Sequence, residues 1–386
     1  MSLRRLGLAA ALLVPLAGGA AVSAELPEKN VLVTRGLSAD GKTAGATGEA
    51  GGRCWSARLF REQRGGWSLA GERPGPKKTA GATCSPIAGA LSADGRTLAV
   101  LQLWDATIRV FRAGKSGLTD AGSFKLPGAA GHAFPAPGSN VALSADGKLL
   151  LVGSPNLDCE FSVPRDACGA AHLFRHDGKA WRHEGRLPRP PGAGISASFG
   201  DVVALSGDGR TAFVGGTGQL GRSGTIHVFA RDGKTWKQAG ELRPEREDET
   251  TFGGTLDVAA SGSVAAVGGE QAVHLFERRA DGWRRVGRIG PPDALAGTFG
   301  ASVALNGKAG LLLVGAPRTG CSEGLRCGSA YSYRLVREGD GVQGRLTERL
   351  AAPLPVPLTD FGWRVATDES GRRLAVQGRV PFFFGP

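Results

Sequence analysis

What the sequence lacks narrows it first. Beyond its first two dozen residues there is no apolar run of about 18 residues, so nothing there reads as a membrane-spanning helix. There is no HExxH and no Cys–His pairing in a recognisable catalytic context, so a zinc-hydrolase motif is excluded and a non-enzyme is expected. There is no CxxC, so the clustered-cysteine mark of a structural zinc site is missing. Acidic residues are in deficit, 35 against 47 basic ones, for a formal charge of +12. Such a balance favours anionic partners and says nothing about fold. What is abundant is glycine, 62 of 386 residues, without a collagen period. Glycine at that density points to many tight turns and an all-β chain.

The N-terminus reads as an export signal. Arg4 and Arg5 precede an apolar stretch from Leu6 to Val22, which ends in Val22-Ser23-Ala24. A positive start, an apolar centre and a small-x-small ending predict a signal peptide over 1–24, cleaved after Ala24. The remaining chain, 25–386, is expected to form one domain of charge +10. It is expected in the periplasm or outside the cell, with no membrane span after cleavage. The six cysteines fit an oxidising compartment, and their spacing predicts the disulfides Cys159–Cys168, Cys321–Cys327 and, by elimination, Cys54–Cys84.

The rest of the chain is one unit repeated. The phrase Ala90-Leu-Ser-Ala-Asp94-Gly95 returns at Ala142–Gly147 and Ala204–Gly209, with weaker copies from Gly36, Val258, Val303 and Val365. A second phrase follows each, as in Leu150-Leu-Val-Gly-Ser-Pro155 and Leu312-Leu-Val-Gly-Ala-Pro317. A third is aromatic, from Arg58-Leu-Phe60 to Tyr331-Ser-Tyr333, and a fourth carries Trp67, Trp181, Trp236 or Trp283. Each is a short run of β-formers bounded by turn residues, and Asp-Gly between two such runs predicts a hairpin. Four strands per repeat, recurring every roughly 50–60 residues, predict a seven-bladed β-propeller of four-stranded antiparallel blades. The seventh repeat supplies only three strands, the third from Pro381–Phe384. Glu25–Thr34 is expected to close the ring as its outer strand, because an open ring leaves blade edges exposed.

Phe199-Gly200, Phe252-Gly253, Phe299-Gly300 and Phe361-Gly362 open four repeats, and Gly-Ser-Pro155 or Gly-Ala-Pro317 ends a second strand. In these features the chain resembles the FG-GAP repeat family, known from integrin α-subunits and from secreted bacterial proteins. The resemblance covers nearly all of 25–386, although the first three repeats lack Phe-Gly. It implies an adhesion, scaffold or protein-binding role. It also raises calcium, which some such propellers bind. That needs several oxygen ligands at alternate positions, whereas these turns carry one carboxylate each, so no cofactor and no metal is expected.

Other motifs yield to the repeat. Gly36–Thr43 matches GxxxxGK[ST], and Gly216–Gly221 matches GxGxxG, but each lies between predicted strands, where a phosphate-binding loop needs a helix. His172, His227 and His274 share one position of the third strand with Arg58, Arg109 and Tyr331, a column that calls for a large polar residue between blades. Glu245–Glu249 reads as a solvated linker. Cations beside Trp181, Trp236 and Trp283 read as protection of an outer strand edge, and export argues against nucleic acid as the partner.

The leading expectation is a non-catalytic module that binds an unknown envelope protein through its loops. Asp158, Glu160, Phe161, Arg165, Glu323 and Arg326 are the candidate contacts, in the two disulfide-bearing loops. The alternatives are an anionic-glycan binder and a lactonase-like hydrolase using the central channel. The latter calls for carboxylates or His on first strands that instead carry Ala, Val and Leu.

Overall fold

The Ser-x-Asp-Gly hairpin is the unit from which the molecule is built. The Ser38 hydroxyl donates to Asp40 Oδ1 at 2.6 Å, and that oxygen accepts Lys42 N–H at 3.0 Å. Ser38 Oγ also accepts Thr43 N–H at 2.9 Å, and Gly41 takes φ 68°. Ser92 with Asp94, Ser144 with Asp146 and Ser206 with Asp208 repeat the arrangement. The turn thus satisfies its own backbone, as a side chain accepting from nearby N–H groups can. In the last blade the two roles are exchanged: Asp368 takes the serine position and accepts from Ser370, Arg372 and Arg373.

The computed structural model describes residues 22–23, 31–50, 53–63, 66–77, 87–102, 106–128, 141–155, 169–187, 190, 199–218, 223–246, 249, 251–269, 271–292, 298–308, 310–319, 327–352, 360–378 and 381–385. It is an all-β, seven-bladed propeller of four-stranded antiparallel blades, without helices among the described residues. One short strand, β1 (Val22–Ser23), precedes the blades. Blade 1 is β2 (Val31–Leu37), β3 (Thr43–Ala50), β4 (Arg53–Gln63) and β5 (Gly66–Pro74). Blade 2 is β6 (Ile87–Leu91), β7 (Thr97–Gln102), β8 (Thr107–Gly114) and β9 (Gly117–Lys125). Blade 3 is β10 (Val141–Leu143), β11 (Leu149–Ser154), β12 (Ala170–His176) and β13 (Trp181–Leu187). Blade 4 is β14 (Val202–Leu205), β15 (Thr211–Gly216), β16 (Thr225–Asp232) and β17 (Thr235–Leu242). Blade 5 is β18 (Thr255–Val258), β19 (Val264–Gly269), β20 (Ala272–Arg279) and β21 (Gly282–Ile289). Blade 6 is β22 (Ser302–Asn306), β23 (Leu311–Ala316), β24 (Ser329–Glu338) and β25 (Gly341–Leu350). Blade 7 is β26 (Arg364–Thr367), β27 (Leu374–Gln377) and β28 (Pro381–Phe384), with β1 as its fourth strand.

The core is distributed rather than central. Seven apolar clusters among the described residues each join two neighbouring blades, and together they run around the ring. Phe199, Phe252, Phe299 and Phe361 are buried at 1% exposure or less, each packing on aromatic residues of its own blade's third strand. The glycine after each Phe holds positive φ, 95° at Gly362, and its carbonyl lies against Gly315 of the preceding blade. A Cβ on Gly315 would meet that carbonyl and Ser302 Oγ at once. The Phe-Gly and Val-Gly-Ala-Pro phrases are therefore two halves of one inter-blade contact.

Closure differs from the sequence expectation. Val31–Thr34, the later part of the segment assigned to closure, lies in β2, the inner strand of blade 1, because its hairpin pairs it with β3. The outer strand of blade 7 is β1, with Val22 opposite Phe383 and Ser23 opposite Phe382. The N-terminal side of the chain thus closes the ring, but with residues ahead of Glu25. Pro381–Phe384 is the third strand of blade 7, as the sequence pattern predicts.

Candidate functional site: the channel and the two faces

The inner strands run from one face of the ring to the other, and the faces differ. One face carries the Ser-Asp hairpins and the tight turns between third and fourth strands. The other joins second to third strands and one blade to the next, through long connections such as 155–169, 317–328 and 126–140.

At the hairpin face a belt of hydrogen bonds links successive blades around the axis. Ala39 N–H donates to Ala93 O at 2.7 Å and Asp94 N–H to Ala145 O at 3.1 Å. Ala145 N–H donates to Gly207 O and Gly207 N–H to Ala260 O, both at 2.8 Å. Blades 5 and 6 are joined by a side chain, Asp257 Oδ2 accepting Leu305 N–H at 2.8 Å. Blades 6 and 7 are joined by Asn306 Nδ2, which donates to Asp368 O at 2.6 Å. Glu369 N–H then returns to Ala39 O at 3.0 Å. Side chains serve on both sides of blade 6, where Asn306-Gly307-Lys308 replaces the usual hairpin phrase.

Inside the belt lies a cavity of about 910 Å³, walled by Leu37, Leu91, Leu143, Leu205, Val258 and Leu305. Asp257 lies in a row of small residues, Gly36, Ala90, Ala142, Ala204, Ala304 and Ala366, and its carboxylate is engaged by the belt. The first strands therefore present mostly apolar walls, and Asp257 on β18 departs from the sequence expectation that they carry only Ala, Val and Leu.

The polar column of the third strands is used within the blades. Arg58 Nε donates to Glu72 at 2.9 Å, and Arg109 Nε to Gln102 at 2.9 Å. His172 Nδ1 lies 3.0 Å from His183 Nε2. His227 meets Glu241 at 3.2 Å, and His274 Nε2 meets Glu249 at 2.7 Å. Burial pulls the His274 imidazole below its ordinary pKa, against the pull of Glu249. Glu249 is thus partly buried against the third strand of blade 5, and Glu245 holds Arg285 at 2.7 Å. This corrects the solvated-linker expectation at Glu249 only, since Glu245 is exposed; 247–248 lie outside the described residues.

The other motifs settle as follows. Gly36–Thr43 crosses the turn from β2 to β3, and Gly216–Gly221 begins at the end of β15, ahead of strand β16. Neither opens a helix. Trp181, Trp236 and Trp283 pack half-buried against the preceding blade. Their neighbouring cations are paired: Arg182 with Asp177 at 2.6 Å, Lys237 with Asp232 at 2.7 Å, and Arg284 with Asp281.

Asp158, Glu160, Phe161, Arg165, Glu323 and Arg326 lie outside the described residues, so the structure neither brings them together nor separates them. Cys54 and Cys327 are disulfide-bonded, and Cys84, Cys159, Cys168 and Cys321 lie outside the described residues. The three pairings remain expectations.

One residue missed by the sequence reading stands out. Asp201 follows Phe199-Gly200 at the long-connection end of blade 4's inner strand, and its Oδ1 is buried without a hydrogen bond. Burial alone pushes its carboxyl up to about 6. The signal was present: Gly254, Ala301 and Trp363 hold this position after the other Phe-Gly pairs, and only Asp201 is ionisable.

No family model and no curated protein matches the chain. Solved structures do. The Swd1 β-propeller domain of Myceliophteria thermophila is similar at TM-score 0.62 and 12% identity, over 95% of this chain and 100% of that one. Hydrazine synthase of Kuenenia stuttgartiensis matches at TM-score 0.59 and 14% identity, over 96% and 99%. The periplasmic gluconolactonase of Pseudomonas aeruginosa matches at TM-score 0.54 and 18% identity, over 83% and 85%. At these identities the likeness is one of fold.

Proposed function

We propose that the protein is an exported, non-catalytic propeller of FG-GAP type that binds an envelope protein through its long-connection face. The observation that carries this reading is the asymmetry of the faces. The hairpin face is tied off by the hydrogen-bond belt, while variable, long connections gather on the other, where a rigid scaffold commonly presents recognition loops. The pairing of the outer-strand cations with nearby carboxylates weighs against those strands as a glycan or nucleic-acid surface.

The test is photo-cross-linking in the native envelope. Cross-linkers at Thr217 and Arg318, on the long-connection face, are expected to capture the same protein at low and high salt. Cross-linkers at Asp94 and Asp146, on the hairpin face, are expected to capture none. Equal capture from both faces, or a glycan lost at high salt, would overturn the reading.

A second reading rests on Asp201. A buried carboxyl group poised near neutrality is what a general acid or base requires, and one structural neighbour is a gluconolactonase. Lactone hydrolysis that falls with an apparent pKa near 6 and disappears in Asp201→Asn would favour it.

A further inference from the structure

Blades 1 to 6 each carry an outer strand of their own, from β5 (Gly66–Pro74) to β25 (Gly341–Leu350). Blade 7 has only Val22–Ser23 in that place, antiparallel to β28. These two residues precede Ala24, so cleavage there would remove the only strand covering this edge among the described residues. The edge left behind is a ready template. Phe383 is 3% exposed and stacks on Trp67 with centroids 4.1 Å apart. Phe382 and Phe384 pack on Phe361 at 5.4 and 6.2 Å. With side chains anchored on both sheet faces, β28 stays extended when its outer neighbour leaves, and its outer N–H and C=O groups need partners. Leu69, 48% exposed, lies on β5, the strand beside β1, and adds apolar surface at the flank.

We propose that the outer edge of blade 7 is a strand-acceptor site. It is filled in cis by Val22–Ser23 before processing, and afterwards by an extended segment of a second polypeptide running antiparallel to β28. The inference rests on the export reading for the order of events, and on the fold alone for the site. It concerns a different surface from the long-connection face. The chain's own occupant defines the chemistry: a proline-free extended segment whose backbone completes the sheet, as in strand addition elsewhere.

The experiment uses the full chain carrying Val22→Pro, with Ser23→Pro as a second variant, because proline cannot donate to a ladder. Hydrogen exchange at Phe382 and Phe383 is read by mass spectrometry, with the thermal melt as a check on folding. Exchange there is expected to quicken about tenfold relative to the unsubstituted chain, as for loss of an edge pairing. A synthetic peptide with the sequence of residues 18–26 should restore protection saturably, and the same peptide with Val22→Pro should not. Equal exchange in variant and parent, or equal protection by both peptides, would overturn the site. N-terminal sequencing of the envelope-derived protein reports cleavage separately, so failure of the export reading is distinguishable from failure of the site.

Discussion

The interface between blades 4 and 5 and the interface between blades 7 and 1 do the same work by different means. The first is an ordinary junction, with Phe213, Ile226, Val228, Leu242, Leu256, Val267 and Phe276 packed without solvent and Trp283 laid on the outside. The second joins segments far apart in sequence, and its buried set leans on small residues: Leu37, Ala44, Ala46, Phe60, Ala366, Ala375 and Phe383. Two further contacts hold this interface. Trp67 stacks on Phe383 at 4.1 Å, and Arg373 grips both oxygens of Glu62 at 2.8 and 2.9 Å. Where chain continuity does not hold two blades together, stacking and a bidentate charge pair, both geometrically specific, stand in for bulk.

The largest expected effects come from removing the aromatic anchor on each side of the comparison. Phe276→Ala should cost about 4 kcal/mol and Phe383→Ala about 3 kcal/mol by urea denaturation, since buried Phe→Ala changes fall near 3–5 kcal/mol and the described seam cluster is richer in alanine. A larger loss at Phe383 would mean that the seam, not the ordinary junction, limits stability. Gly315→Ala tests the Phe-Gly contact shared by ordinary junctions. Its Cβ has no room against Gly362 O, so a loss of about 3 kcal/mol is expected, and ready acceptance of alanine would show that the contact is loose.

Asp201→Asn should act in the opposite direction, and only at high pH. Its folded pKa, about 6, is raised above the ordinary value of 3.8. The native state therefore holds the proton more tightly, and the site's contribution is full below 3.8 and lost as pH rises through about 6. The substitution is expected to gain roughly 1–2 kcal/mol at pH 8 and nothing at pH 3, read from denaturation midpoints. A gain that does not change with pH would show that Asp201 is not an isolated buried acid.

The ordinary junctions were legible in the sequence, and the seam was not. Ser-x-Asp-Gly at regular intervals announces hairpins because one short phrase satisfies its own turn, and four phrases per repeat announce blades. Phe-Gly and Val-Gly-Ala-Pro are visible as motifs, but that they touch across blades is a fact of three dimensions. Val22–Ser23 sits in a stretch whose apolar, small-residue composition reads as an export signal, and two residues are too few to show a strand period. Glu249 looked solvated because it lies in a charged run, yet it pairs with the buried His274 and is only partly exposed. The Asp201 position was readable only by comparing the residues after each Phe-Gly. The candidate contacts in 156–168 and 320–326 were chosen for loop length, and they lie outside the described residues.

The smallest expected effect is also the most direct test of closure. Glu62 and Arg373 stand 311 positions apart and meet only if the first and last blades are neighbours. A double-mutant cycle with Glu62→Gln and Arg373→Met should give a coupling of about 0.5–1 kcal/mol that shrinks with added salt, as for a partly exposed pair. Coupling of that size supports a ring sealed between blades 7 and 1, whereas additivity of the two changes at low salt would contradict it.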